Sequence, residues 1–233
     1  MTNSIRINRF LVESGFCSRR QADKLIIEGR VLVNNHPAKV GDQVLLSDQV
    51  SVDNQQIKVK SEKIYIALNK PSGYICTLND EFNRKNARSL INIKDRLFSV
   101  GRLDKESCGL IIYTNDGEFA QKVGHPSNQK NKLYRLELQG DHESIKQLPK
   151  SFLRGMRIEG KLMKVDEVRV IKSHRQTIVV EVAIHQGLNR QLRKMSEALG
   201  LKVRLLERIK IGNLKLGSLQ PGKWRKINKE EVL

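Results

Sequence analysis

Residues 165–185, VDEVRVIKSHRQTIVVEVAIH, decide the fold class. Two apolar, β-branched runs, Val165–Ile171 and Thr177–His185, are separated by a short polar stretch. A link that short joins antiparallel neighbours, because a parallel crossover needs a dozen or more residues. Working outward, further strands are expected at Tyr134–Gln139 and Val203–Ile211, and earlier at Ile64–Leu68 and Gly109–Thr114. Helices are expected at Gly117–Val123, His142–Leu148 and Leu188–Leu199. Many strands with few intervening helices predict an α+β domain over residues 61–233, with a mostly antiparallel sheet and flanking helices, and not a doubly wound fold. The chain shows no internal repeat and no low-complexity segment.

Residues 1–60 read as a separate helix–helix–strand module. Ile7, Phe10, Leu11 and Ser14 recur at helical spacing. A second helix is expected after Ser18, with Gln21 three residues on as capping-box partner and Gly29 as terminator. Val31 and Val33 alternate like a strand into an Asn34-Asn35 turn, and short strands are expected at Val50–Val52 and Ile57–Val59. The polar stretch KVKSEK, residues 58–63, reads as a linker.

The charge balance names a class of partner. Lys and Arg total 43 against 25 Asp and Glu, net +18 over 233 residues. Such an excess suits a polyanion, since each phosphate neutralised by Lys or Arg releases condensed counterions. Residues 1–60 carry 9 basic and 6 acidic side chains, so most of the excess lies beyond them. No block of five like charges marks a basic tail. Arg19 and Arg20 open the second helix, where the helix dipole disfavours cations. Phosphate contact would explain them, together with Arg6, Arg9, Lys24 and Arg30; a solvated face is the alternative for any single one.

Several chemistries lack sequence support. There is no phosphate-binding G-x-x-x-x-G-K-[ST] loop, no G-x-G-x-x-G fingerprint, no deaminase zinc signature and no G-x-S-x-G elbow. Cys17, Cys76 and Cys108 are odd in number and far apart, as expected of reduced thiols in a cytoplasmic protein. MTNSIRINRF has no apolar signal core, and the apolar runs are too short to span a bilayer.

Three segments stand out. Gly101–Leu110, GRLDKESCGL, reads as a loop between apolar strands, with Asp104 beside Arg102 and Lys105. Adjacent cations favour its charged form, although an aspartate that caps a turn has the same local pattern. The second segment is Lys132-Leu133-Tyr134. The third, Gln186–Met195 (QGLNRQLRKM), starts a helix, and seven basic against two acidic side chains lie between 190 and 210, the densest positive stretch of the chain. Arg190 and Lys194 are expected to share a helix face, with Arg193 beside them.

These segments resemble the motifs of the RsuA-type pseudouridine synthase family, in the family's order and over nearly the whole chain. RINRFLVESGFCSRRQADKLIIEGRVLVNN resembles the S-four-like RNA-binding domain fused to it. The QGLNRQ wording is most similar to the branch acting on large-subunit ribosomal RNA (RluF-like). The resemblance implies an intramolecular isomerase that turns uridine into pseudouridine in structured RNA. Ribosomal RNA is the expected substrate, with a transfer RNA as candidate second one. It implies a monomer in the cytoplasm acting by base flipping, with no metal, no cofactor and no membrane.

By the same resemblance Asp104 is the essential carboxylate, paired with Arg193. Attack on the sugar, attack on the base and removal of a sugar proton all stay open. Arg102 corresponds to the residue that fills the gap left by the flipped base, and Tyr134 to the tyrosine that packs on the uracil. Without the resemblance, Tyr134 reads as a strand core aromatic. Arg190, Lys194 and Arg208 are the expected substrate contacts. Arg6, Arg9, Arg19, Arg20 and Lys24 are the expected RNA contacts of the N-terminal domain. Two other readings are a non-catalytic RNA-binding scaffold, against which Asp104, Arg102, Tyr134 and Arg193 together argue, and a DNA-binding protein using the 188–199 helix. The latter predicts tight duplex DNA binding and no RNA product.

Overall fold

The computed structural model describes residues 4–59, 62–77, 80, 82, 84–124 and 131–233; Lys60 and Ser61 of the expected linker, and Met1–Asn3 of the N-terminal stretch, lie outside them. The chain separates into two compact units. One takes Met1–Ile64 with Ile93–Leu97 and Asn115–Gly117, the other Tyr65–Asn92, Phe98–Thr114 and Glu118–Leu233.

In the first unit β1 (Ser4–Arg6) leads into α1 (Ile7–Glu13) and α2 (Arg19–Ile27). There follow β2 (Val31–Val33), β3 (His36–Pro37), β4 (Gln43–Leu45), β5 (Val50–Val52) and β6 (Gln55–Ile57). The strand order is β3-β2-β5-β6, with β1 paired to β4 alone. The periodic residues Ile7, Phe10, Leu11, Ala22 and Ile26 meet Val31, Val44, Val50 and Val52 in one buried core. Two two-residue hairpins set the strand register. Asn34-Asn35 and Asp53-Asn54 all have φ between 49° and 66°, the left-handed pair that a type I′ turn requires and that Asn and Asp tolerate. The second hairpin pulls the last strand to Gln55–Ile57, two residues before its expected place.

Ser18 caps α2: its Oγ accepts from the Gln21 N–H at 3.3 Å, and Gln21 Oε1 accepts from the Ser18 N–H at 3.1 Å. Replacing Ser18 by Ala is expected to lower stability by about 1 kcal/mol. Urea titration followed at far-ultraviolet wavelengths reads this, and an unchanged midpoint would show that the cap contributes nothing.

The second unit is built on one large sheet. Its elements are β7 (Tyr65–Lys70), β8 (Phe98–Val100), β9 (Cys108–Thr114), α3 (Gly117–Gly124), β10 (Lys132–Gln139) and α4 (His142–Arg154). After them come β11 (Met156–Ile158), β12 (Lys161–Met163), β13 (Glu167–Ser173), β14 (Thr177–Ile184), α5 (Gln191–Ala198), β15 (Lys202–Ile211), β16 (Leu214–Lys215) and β17 (Trp224–Lys226). The main path is β13-β14-β10-β15-β9-β7-β17, with β8 on β9 and β16 on β15. β13 and β14 form the expected antiparallel hairpin. Among the described strands only β9 and β15 run parallel, joined at Glu207↔Cys108 and Arg208↔Gly109.

Strand alternation gives the sheet two faces. Lys70, Gly109 and Arg208 share one; Asn69, Leu110 and Ile112 share the other, where Phe119 and Val123 of α3 pack. A bulge in β15 rearranges this pattern. Tyr134 opposes Arg208 but Leu133 opposes Lys210, so Ile209 is the extra residue. Arg208 and Lys210 would share a face in a regular strand; the bulge sends them to opposite faces.

Two helices depart from expectation. α4 does not stop at Leu148: it runs through Pro149 to Arg154, keeping Ile145, Leu148 and Phe152 buried. Burial of that apolar stripe outweighs the one N–H that proline removes. α5 starts at Gln191 and not at Leu188. Arg190 is its N-cap at φ 53°, in the left-handed region, so it leaves the helix face it was expected to share with Lys194.

Candidate active site

The Asp104 loop, β10, β15 and the start of α5 enclose a cleft of about 510 Å³. Arg102, Asp104, Lys132, Tyr134, Arg190 and Arg208 line it. Asp104 is therefore in an open, cationic cavity and not folded into a core; its side chain keeps 31% of its surface exposed. Among the described residues its ion partner is Arg190, with Nη1 4.0 Å from Oδ2. The same Nη1 donates to Glu106 at 3.1 Å. A hydrogen bond from its own backbone N–H, with the Arg190 guanidinium, holds the Glu106 carboxyl below the usual carboxylate range.

The loop carrying Asp104 is tied down along its length. The Ser107 N–H closes a turn on the Asp104 carbonyl at 3.1 Å. The Gly73 N–H and the Ser72 hydroxyl donate to the carbonyls of Lys105 and Glu106. Beneath it the fully buried Lys70 donates from Nζ to the carbonyls of Tyr74 at 2.8 Å and Pro71 at 3.0 Å, with Lys105 at 3.4 Å. Burial pushes the Lys70 ammonium pKa down, and carbonyl oxygens take the place of solvent around it. Cys76 Sγ accepts from the Leu103 N–H at 3.5 Å. A catalytic group needs such a supporting shell to stay in productive geometry.

Among the described residues Arg208 is the largest fully buried side chain. Its Nε donates to the Leu110 carbonyl at 2.7 Å and its Nη1 to the Tyr134 hydroxyl at 3.3 Å, while its guanidinium lies 5.9 Å from that ring centre. Nη2 has no hydrogen-bond partner among the described residues. Gly109 makes this possible. At φ 98° it lies against the Arg208 backbone, and a Cβ built there would sit 2.4 Å from the Arg208 carbonyl oxygen. Lys132 stands in the same wall; burial, then the Arg208 charge, pushes its ammonium pKa down.

Several expectations need correction. Arg193 does not bond Asp104: it is buried on the inner side of α5 with Ser196, and its Nη2 donates to the Oγ of Ser107, a residue of the cleft wall, at 3.1 Å. Lys194 is not a cleft residue, because α5 turns it to Glu159, 2.5 Å away. The dense positive stretch between 190 and 210 is no single patch either. Arg204 goes to Gln139 and Lys210 to the opposite face of the sheet. In the first unit Arg6, Arg19, Arg20 and Lys24 are exposed. Arg9 is tied to Glu13 at 2.7 Å and Lys24 approaches Glu28 at 3.6 Å, whereas Arg6, Arg19 and Arg20 make no ion pair among the described residues. Lys70, Ser107, Cys76 and Lys132 were missed as site residues. For Lys70 a signal existed: in YIALNK it shares the Ile66–Leu68 alternation and so points inward.

The three cysteines are free, and burial pushes the Cys17 and Cys108 thiols up, away from reactive thiolate. Among the described residues no helix is long and apolar enough to cross a membrane.

The fold and the cleft do not by themselves fix a reaction class; the comparisons with known proteins show it. The chain belongs to the RNA pseudouridylate synthase family, whose model matches residues 64–198; an S4 domain matches residues 5–50. Within that family it is an RsuA-type enzyme, an RNA pseudouridine synthase with an N-terminal S4 domain. It is 36% identical to the dual-specificity RNA pseudouridine synthase RluF of Escherichia coli K12, over 99% of this chain and 78% of that one. It is 35% identical to ribosomal large subunit pseudouridine synthase B of Bacillus subtilis, over 97% and 93%. A solved pseudouridylate synthase matches with a TM-score of 0.67 at 26% identity, covering 98% of both chains.

Proposed function

We propose that this enzyme isomerises one or more defined uridines in structured RNA, with large-subunit ribosomal RNA as its main substrate and a transfer RNA as a second. The names of its relatives support the substrate class. The observation that carries the reading is the meeting of Asp104, Arg102, Tyr134 and Arg208 in one cleft.

The reaction breaks the bond from uracil N1 to ribose C1′, turns the base and joins C1′ to C5. The C5 proton leaves and N1 gains one, so atoms balance without a co-reactant. The target uridine must first leave its stack, at a cost of a few kcal/mol. The exposed Arg102 at the cleft rim enters the vacated space, where a planar guanidinium stacks and still holds phosphate. Asp104 acts at the glycosidic bond, with Arg190 orienting it from 4.0 Å. Tyr134 packs on the ring, and its hydroxyl, polarised by Arg208, assists at C5. Exposed Arg6, Arg19 and Arg20 of the first unit grip the RNA backbone.

Pseudouridine mapping of ribosomal and transfer RNA, from cells with and without the gene, tests this. The expected result is loss of modification at a large-subunit position and in a transfer RNA; unchanged maps would overturn it. Tyr134→Phe probes the hydroxyl. It keeps the ring but leaves Arg208 Nη1 with only the Arg102 carbonyl at 3.5 Å. Stability is expected to fall by about 1–3 kcal/mol and turnover by roughly 10²-fold, with RNA affinity within a few fold. Full turnover in this variant would remove the hydroxyl from the chemistry.

A further inference from the structure

The face of the sheet opposite the Asp104 cleft carries a second cavity, of about 540 Å³, among β10, β15, β16 and the loop at 216–221. It differs in chemistry from the first. Leu133, Ile209 and Leu219, each half-buried, give it apolar walls, and Lys210 and Lys215 give it charge. These two lysines are directly opposed across the β15–β16 pair, and neither makes an ion pair among the described residues. Arg135 and Glu207 also line the cavity, but at 4.0 Å they address each other, and Arg135 reaches Glu181 at 3.2 Å.

Like charges directly opposed across a strand pair destabilise a sheet. Stability does not ask for Lys210 and Lys215 to meet, and the bulge at Ile209 is what turns Lys210 to this side. The wall is also built in advance. Asn69, buried, donates from Nδ2 to the Leu219 carbonyl at 2.7 Å and accepts from the Gly222 N–H at 2.8 Å, and the Leu216 N–H donates to Ile209 at 2.8 Å. A fixed concavity of this volume is ligand-sized. An anion on the lysines with a flat, apolar-tolerant body against the leucines is the shape of a nucleotide.

We infer that this cavity is a second RNA site, which takes one unstacked nucleotide of a single-stranded segment, its phosphate on Lys210 and Lys215 and its base against Leu133 and Leu219. The inference rests on the RNA reading above and extends the footprint to the reverse face of the sheet. Duplex RNA does not fit, because its bases are not free to enter a pocket.

The test uses the full chain, a ten-nucleotide single-stranded oligouridylate and fluorescence anisotropy across a salt series. The double variant Lys210→Gln with Lys215→Gln is compared with Lys146→Gln with Lys150→Gln, two exposed lysines on α4 that remove the same charge elsewhere. Loss of the one phosphate neutralised there is expected to flatten the slope of log affinity against log salt by about 0.7, while the control pair moves it far less. The melting temperature of the cavity variant is expected to equal or exceed that of the parent, since a repulsive pair has gone. Equal slopes for the two double variants would overturn the proposal, as would a fall in melting temperature that accounts for the lost affinity. Arg102→Gln separates the two readings. If it weakens oligouridylate binding and the cavity variant does not, only the second site fails; if neither variant does, RNA binding by this unit fails.

Discussion

Asp104→Asn is expected to fold as the parent does, to bind RNA within a few fold of it and to lose turnover by roughly 10³-fold or more, the range for removing a positioned acid–base or nucleophilic group. Each part follows from the geometry. Asparagine has the size of aspartate, so the cleft keeps its shape. The ion partner of Asp104 is Arg190 at 4.0 Å, and Arg190 retains Glu106 at 3.1 Å. A partly exposed pair of that length contributes at most about 1 kcal/mol. The loop is held by Lys70, Ser72, Gly73, Cys76 and the Ser107 turn, none of which bonds the Asp104 side chain. Removing a negative charge from a cationic cleft does not repel a polyanion. Single-turnover assays on ribosomal RNA lacking the modification, beside anisotropy with the same RNA, separate chemistry from binding. Full turnover in the variant would sink the assignment of the carboxylate.

Gly109→Ala is expected to be the most damaging single methyl addition in the second unit. Its Cβ would sit 2.4 Å from the carbonyl oxygen and 2.7 Å from the nitrogen of Arg208, both backbone atoms, at φ 98°. Neither atom can swing away, because the β9–β15 pairing holds them. Left-handed strain and forced separation of the strands together cost roughly 2–6 kcal/mol. At about 2–4 °C per kcal/mol for a chain of this size, the loss of melting temperature is on the order of 10 °C. The displaced strand carries Arg208 away from Leu110 and Tyr134, so turnover falls with stability. A contrasting variant, Gly160→Ala, also has positive φ but no atom within 4 Å of the added methyl group, and is expected to cost about 1–3 kcal/mol from strain alone. Equal effects at the two positions would show that close strand approach contributes nothing.

Local rules made much of this protein legible. Ser18 and Gln21 marked the start of α2, Asn34-Asn35 marked a hairpin, and the paired runs around 165–185 marked antiparallel neighbours; all three are interactions between residues close in sequence. The GRLD segment was legible as a loop, and as a family motif. The departures share a cause. Pro149 lies inside a helix because a buried stripe outweighs it. Arg190 leaves α5 while Glu106, 84 residues away, and Asp104 face it. Arg193 meets Ser107 because α5 packs its inner side under the loop.

The residue pattern alone determined the α+β class, the two-part organisation as an expectation and the basic character, since periodicity, turn chemistry and composition act within a few residues; the candidate carboxylate came from the resemblance of GRLD to a family motif. Tertiary structure decided which cation stands beside Asp104, that Arg208 and Lys210 serve opposite faces of one sheet, and that Gly109 must lack a side chain. Those outcomes depend on a parallel strand contact and a one-residue bulge between segments some 75 to 100 residues apart. Such register is set by packing across the sheet, which no local pattern encodes.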